Sequence, residues 1–162
     1  MPKYQVITYP NRVLTQKAEP VQTIGDFERE LVQNMIQLMH LEGGVGIAAP
    51  QVGVSTRIFI VCHEAKPGTE IVLMNPVIFK TSGEQVGIEG CLSLPGISGE
   101  VRRARHIEYE YMNWDGKMIQ EKASDFPARV IQHELDHLDG KLLIDRVDFD
   151  QRQELLSGYQ RL

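Results

Sequence analysis

Gln132-His133-Glu134-Leu135-Asp136-His137-Leu138-Asp139-Gly140 is the stretch from which the rest of this chain is read. Two histidines stand four residues apart, with a glutamate directly after the first. On an α-helix that spacing puts both imidazoles on one face, close enough to hold one metal ion. The glutamate beside them is placed to handle a proton on the water that such an ion binds. Ser124, Asp125 and Pro127 are helix start signals and Gly140 is a stop signal. At about 100° per residue, Val130, His133, Glu134 and His137 share one face. Ile131, Leu135 and Leu138 form the adjoining apolar stripe, and Arg129, Gln132, Asp136 and Asp139 fall on the remaining, polar arc. With two inward arcs the helix is expected to be central and mostly buried.

A catalytic metal site typically has three protein ligands and a position left for water. Two histidines leave one ligand to find. In metzincins it would be a third histidine, at the position that Leu143 occupies, and leucine cannot bind a metal. In thermolysin-like peptidases it would be a downstream glutamate. The one available, Glu154, falls on the exposed edge of an amphipathic segment. That leaves Cys91, in Glu89-Gly90-Cys91-Leu92-Ser93-Leu94-Pro95-Gly96. By itself a lone cysteine reads as a packed hydrophobe; beside H-E-x-x-H it is a soft ligand suited to Zn²⁺ or Fe²⁺.

The other unusual stretch is Gly44-Val45-Gly46-Ile47-Ala48-Ala49-Pro50-Gln51-Val52-Gly53. It mimics a dinucleotide fingerprint, but that motif follows a strand and opens a helix. Here it follows a helical pattern, and Pro50 and Gly53 break any helix that starts. It reads better as a backbone that approaches something closely, lacking Cβ atoms at Gly44 and Gly46, with Gln51 supplying an amide donor.

Around these motifs the chain reads as one domain spanning residues 1–162. Hydrophobic residues make up 42% and charged residues 24%, as in an ordinary globular protein. The net charge of −5 argues against nucleic-acid binding and against an anionic membrane surface. No apolar run is long enough to span a bilayer, and the N-terminus shows no signal or transit pattern. Two cysteines give no disulfide framework, so a reduced, cytoplasmic compartment is the expectation. Tyr4–Thr8 is a strand candidate and Asn11–Gln16 a brief helix. A helix runs from a Gly25-Asp26 cap to Leu41, with Phe27, Leu31, Met35, Leu38 and Met39 inward. Arg57–Cys62 is a buried strand whose last thiol is simply packed. Ile71–Met74 and Val77–Lys80 are strand pieces separated by Asn75-Pro76, a bulge or edge signal. Glu100–Met112 alternates, with Val101, Ile107, Tyr109 and Tyr111 on one face. Asn113-Trp114-Asp115-Gly116 is a hairpin loop before a returning strand, Lys117–Ala123. Leu142–Ile144 is apolar, and a final helix starts near Asp148 with Leu155, Leu156 and Tyr159 inward. His40, His63 and His106 lack ligand spacing.

The three motifs, Gly44–Gln51, Glu89–Ser93 and Gln132–His137, resemble in order and spacing the signatures of the peptide deformylase family. The opening Ile7-Thr8-Tyr9-Pro10 and the Asn75-Pro76 pair resemble it too. The resemblance implies an α+β fold: antiparallel β-sheets packed around the H-E-x-x-H helix, with further helices toward the N- and C-termini. It implies removal of the formyl group from N-formylmethionyl ends of new polypeptides, releasing formate. Cys91, His133 and His137 would bind one divalent metal, Fe²⁺ in the cell, with Zn²⁺, Ni²⁺ and Co²⁺ also suited to the donors. Metal-bound water would attack the formyl carbon, with Glu134 as general base and then acid. Gln51 and the Leu92 N–H would hold the oxyanion. A cramped site lined by Gly44, Gly46 and Gly90 would admit formyl and exclude larger acyl groups. Val45, Ile88, Phe126 and Val130 are candidates for the methionine pocket. The peptide would pair with the Gly43–Ile47 segment as an added strand. Glu89 and Arg103 would form an ion pair behind the Cys91 loop. A bacterial-type, monomeric enzyme with at most transient ribosome contact is expected, since no long basic extension follows the last helix. Two other classes fit the ligands alone: a metallopeptidase cutting internal bonds, and a metal-binding module without activity.

Overall fold

The computed structural model describes residues 2–159. In chain order the elements are α1 (Asp26–Leu41), β1 (Gly46–Ala48), β2 (Ile58–Val61), β3 (Ile71–Ser82), β4 (Gln85–Gly90), β5 (Ser98–Arg103), β6 (His106–Met112), β7 (Met118–Ser124), α2 (Asp125–Leu138) and α3 (Phe149–Tyr159). Short 3-10 turns at Arg12–Thr15, Ala49–Val52 and Leu143–Asp145 join them. The strands form an antiparallel sheet in the order β1-β2-β3-β6-β7 and a separate antiparallel pair, β4-β5. The class is α+β, as the resemblance implied.

β2 shows why a strand with no polar face belongs here. Successive side chains of a strand point to opposite faces. Ile58 and Ile60 pack with Leu31, Met35 and Met39 of α1. Phe59 and Val61 pack with Ala128, Val130, Ile131 and Leu138 of α2. Both faces are covered by helices, so the apolar run is continuous. Fully burying one such side chain is worth about 1.5–3 kcal/mol. A third cluster gathers Leu94, Ile97 and Val101 with Leu142, Leu143, Ile144 and the inward edge of α3. It backs the β4-β5 pair.

Helix α2 starts and stops where its signals fall. Ser124 is the N-cap residue, although its hydroxyl meets His106 Nδ1 at 2.7 Å instead of capping the helix. Gly140 follows with φ +75°, and a Cβ there would lie 2.7 Å from the Thr15 carbonyl carbon and oxygen. Glycine is thus needed both for the left-handed turn and for the close approach of the Arg12–Thr15 turn.

Several expectations are corrected. Tyr4–Thr8 is not a strand; Ile7 N–H donates to the Gln51 carbonyl at 2.7 Å, a single bond to a turn and no ladder. Phe27 of α1 is 56% exposed, leaving Val32 to join the buried face. The two pieces around Asn75-Pro76 are one strand with a register shift between Met74 and Val77, the expected bulge. There Asn75 Nδ2 donates to the Val21 carbonyl (2.9 Å), and its Oδ1 accepts from Val21 N–H (2.8 Å). The alternation over Glu100–Met112 spans two strands in different sheets, β5 and β6, broken at Ala104-Arg105. Strand β4 was not foreseen: its two apolar side chains, Val86 and Ile88, are exposed, and its more buried face carries Gln85, Gly87 and Glu89.

Candidate metal centre

Helix α2 and the end of β4 meet at one point. The i, i+4 spacing on α2 sets His133 Nε2 and His137 Nε2 3.3 Å apart. Cys91 follows the last residue of β4, and its Sγ lies 3.4 Å from His137 Nε2. The three ligand atoms all lie within 4.8 Å of one another. Among the described residues no other set of histidine, cysteine and acidic side chains converges in this way.

The rings are held from behind. His133 Nδ1 lies 2.8 Å from Glu89 Oε1, a carboxylate that accepts the Nδ1–H and turns Nε2 toward Cys91 and His137. Arg103 grips the same carboxylate with two bonds, Nε to Oε2 at 2.9 Å and Nη2 to Oε1 at 2.8 Å. The Glu89–Arg103 pair expected from the sequence is therefore present and buried. Its neighbours were missed. Arg129 Nη1 donates to Glu89 Oε2 at 2.6 Å, and Arg103 Nη1 to Asp136 Oδ2 at 2.6 Å. Arg146 closes the far end on Asp136, at 2.7 and 3.0 Å. The arc of α2 read as polar edge is thus corrected at Arg129 and Asp136, both 7% exposed and ion-paired. Burial favours the protonated form of Glu89, but the Arg103 and His133 hydrogen bonds outweigh it and hold the carboxyl well below the usual range.

The two imidazoles titrate in opposite directions. Burial pulls His133 down, yet its bonds to Cys91 and Glu89 carry it well above the ordinary histidine value. His137 is pushed well below that value by burial and by the charge on His133. Two buried bases facing one thiol share room for a single positive charge. That donor set, one thiolate and two imidazoles, fits a divalent transition-metal ion.

Glu134 stands beside this cluster at 3% exposure, with its Oε1 3.9 Å from His133 Nε2. Its Oε2 is buried with no hydrogen-bond partner among the described residues. Burial pushes its carboxyl up to about 7, against the pull of His133. Gln51, 1% exposed, sits on the Ala49–Val52 turn. Ala48 N–H donates to its Oε1 at 2.9 Å, which turns Nε2 toward Ser93 Oγ (3.2 Å) and Cys91 Sγ (3.6 Å). Ser93 was not singled out from the sequence.

A cleft of about 580 Å³ opens onto Cys91, His133, Glu134 and Gln51. Gly44, Val45, Gly46, Ile88, Gly90, Leu92, Phe126 and Val130 all line it, so every residue expected to touch the substrate reaches one cavity, while His137 and Arg103 lie behind its wall. Ile88 (68%) and Phe126 (49%) are exposed, and Val130 is buried. The crowding is uneven. A Cβ on Gly46 would lie 2.7 Å from Glu134 Oε1, and one on Gly44 3.2 Å from Leu92 Cδ1. At Gly90 the nearest atom would be at 3.8 Å, an ordinary contact, so Gly90 does not contribute the expected crowding.

Comparison with known proteins adds a decisive observation: the family model for polypeptide deformylase matches residues 3–153. The chain belongs to the polypeptide deformylase family. Polypeptide deformylases are metal-dependent hydrolases that remove N-formyl groups from nascent polypeptides. A peptide deformylase of Thermomicrobium roseum is 41% identical over 88% of this chain and 85% of its own length. One of Borreliella burgdorferi is 40% identical over 97% and 95%. Among solved structures, the peptide deformylase of Synechococcus elongatus in complex with actinonin superposes with a TM-score of 0.94. It is 35% identical and covers 99% of this chain and 89% of its own. The peptide deformylase of Thermus thermophilus gives 0.89 at 38% identity, covering 98% and 93%. The deformylase fold of antiparallel sheets and three helices is thus shared along nearly the whole chain.

Proposed function

We propose that this chain deformylates N-formylmethionyl peptides at the cleft described, with Cys91, His133 and His137 holding one divalent ion. The convergence of three soft and borderline donors beside the buried Glu134 carboxylate, whose Oε2 has no hydrogen-bond partner among the described residues, supports this reading most strongly. When bound, the ion polarises the formyl carbonyl and makes water nucleophilic near neutral pH. The rest falls to the protein's own groups. Glu134, with its carboxyl raised to about 7, takes a proton from the attacking water and returns it to the leaving amine. Gln51 Nε2 and the Leu92 N–H donate to the oxygen on which negative charge develops. Ala48 fixes the amide of Gln51 beforehand, so little reorganisation accompanies the charge.

Val45, Ile88, Phe126 and Val130 hold the methionine side chain. The substrate backbone pairs with the Gly43–Ile47 segment, since β1 is the edge strand and pairs only with β2. Close packing around Gly44 and Gly46 disfavours an acyl group larger than formyl. We further propose that residues 1–162 act as a single catalytic domain organised around α2. Fe²⁺ is the resident ion in the cell, and the protein works as a cytoplasmic monomer meeting chains transiently at the ribosome. No helix among the described residues is long and apolar enough to cross a membrane.

The test is formate release from formyl-Met-Ala-Ser, with Glu134→Ala assayed for rate and metal content. Retained metal with activity lost supports the proton-transfer role, and full activity in that variant refutes it. Comparable turnover of acetyl-Met peptides would refute the size exclusion.

A further inference from the structure

Glu89 is saturated. Oε1 accepts from Arg103 Nη2 and His133 Nδ1, both at 2.8 Å, and Oε2 from Arg103 Nε at 2.9 Å and Arg129 Nη1 at 2.6 Å. A carboxylate has about four lone-pair sites, and here all four are used. Arg103 is part of the support already described; Arg129 adds something different. It lies one turn before His133 on α2, so the same helix face grips Glu89 twice. Its Nη1 also donates to the Val101 carbonyl on β5 at 3.1 Å. Its Nη2 is buried without a partner and lies against Gly87 of β4, where a Cβ would stand 3.1 Å from Nη2 and 3.2 Å from Cζ. Gly87 and Val101 are partners across the β4-β5 ladder. The guanidinium therefore spans one rung of the hairpin, resting on one residue and bonded to the other. Cys91 comes directly after the strand, four residues beyond Gly87.

The ligand set comes from two elements, the imidazoles from α2 and the thiol from the end of β4. We propose that Arg129 is a positioning residue that fixes the β4-β5 hairpin on α2 and so sets where Cys91 Sγ stands against the two imidazoles. Gly87 is the position that admits its guanidinium. This rests on the ligand assignment proposed above and deepens it. The unpartnered Nη2 fits the role. A buried N–H left unsatisfied is costly, and it persists here because the Glu89 and Val101 bonds fix the other end of the fork.

The test uses the full chain loaded with Co²⁺, whose thiolate charge-transfer band reports the Cys91–metal bond. Arg129→Met keeps the alkyl stem and removes the clamp. Gly87→Ala keeps the charge and forces the guanidinium to shift. Co²⁺ affinity by chelator competition should weaken about tenfold or more in Arg129→Met, with the band shifted or weakened. KM for formyl-Met-Ala-Ser should stay within about twofold while kcat falls. Gly87→Ala should move affinity and band in the same direction, by less. Unchanged affinity and band in both variants, whatever their melting temperatures, would overturn the proposal. A raised KM with unchanged Co²⁺ properties would overturn it too, since Arg129 would then act on substrate in the cleft. If Arg129→Met fails to fold, Gly87→Ala decides by the same two readouts. A wild-type protein that shows the thiolate band but releases no formate would exclude deformylation and leave the positioning role to be decided on the spectra.

Discussion

Replacing Gly46 with alanine tests the placement of Glu134 with one methyl group. The added Cβ would lie 2.7 Å from Glu134 Oε1 and 3.0 Å from both Cδ and Cγ. Ordinary contact begins at 3.4 Å, so the carboxylate and strand must separate by ~0.7 Å (3.4 − 2.7). Gly46 does not lie in the left-handed backbone region, so alanine is conformationally acceptable there and the penalty is steric. Either the strand gives or the carboxylate does. β1 pairs with β2 on one side only but is buried along its length, so overpacking should cost about 1–3 kcal/mol and lower the melting temperature by several degrees. A misplacement of ~1 Å at a reacting group typically costs about 10²-fold, so kcat/KM should fall roughly 10- to 100-fold. Cys91, His133 and His137 are not touched, so metal content should stay near wild type. The assay is formate release with metal analysis and thermal melting on the same samples. Activity within twofold of wild type would contradict the placement of Glu134 against this strand. Loss of metal in parallel with activity would show that the damage spreads through the ligand helix.

Glu89→Gln removes the charge that four hydrogen bonds from Arg103, Arg129 and His133 serve. It should destabilise the fold by about 3–5 kcal/mol in chemical denaturation and weaken metal binding roughly 10- to 100-fold. Asn75→Ala loses both bonds to Val21 and should cost about 1–3 kcal/mol with little effect on turnover. Glu70 is held below its ordinary 4.5 by the His40 ring, 2.6 Å away, and by neighbouring backbone N–H groups. A depressed carboxyl stabilises the fold above its unfolded pKa and loses that contribution as pH falls through the folded value. The melting-temperature advantage of wild type over Glu70→Gln should therefore be present above pH 4.5 and fade below it.

What the sequence revealed and concealed follows from range. His133, Glu134 and His137 are legible because the α-helical period is local and their caps flank them. Cys91 emerged because two imidazoles need a third donor and few residues qualify. The continuous apolar run of β2 announced a strand covered on both faces. By contrast, Arg129 and Asp136 read as solvated because their partners are 40 and 33 residues away in the chain. Nothing on a helical wheel shows that a charged arc faces other charges. β4 escaped because its inward positions hold Gly87 and the ion-paired Glu89, while its apolar side chains, Val86 and Ile88, are exposed. At Gly87 the absent side chain is what lets Arg129 approach. The β5–β6 break escaped for the opposite reason, since Val101 stays in phase with Ile107, Tyr109 and Tyr111 although the chain changes sheets between them.

The most direct test of the centre is X-ray absorption on the zinc-loaded protein, with Cys91→Ser alongside. One sulfur near ~2.3 Å and two imidazole nitrogens near ~2.0–2.1 Å, with the sulfur shell lost in the variant, is the predicted result. A spectrum with no sulfur shell, or one unchanged by Cys91→Ser, would contradict the joining of helix and strand at a single ion.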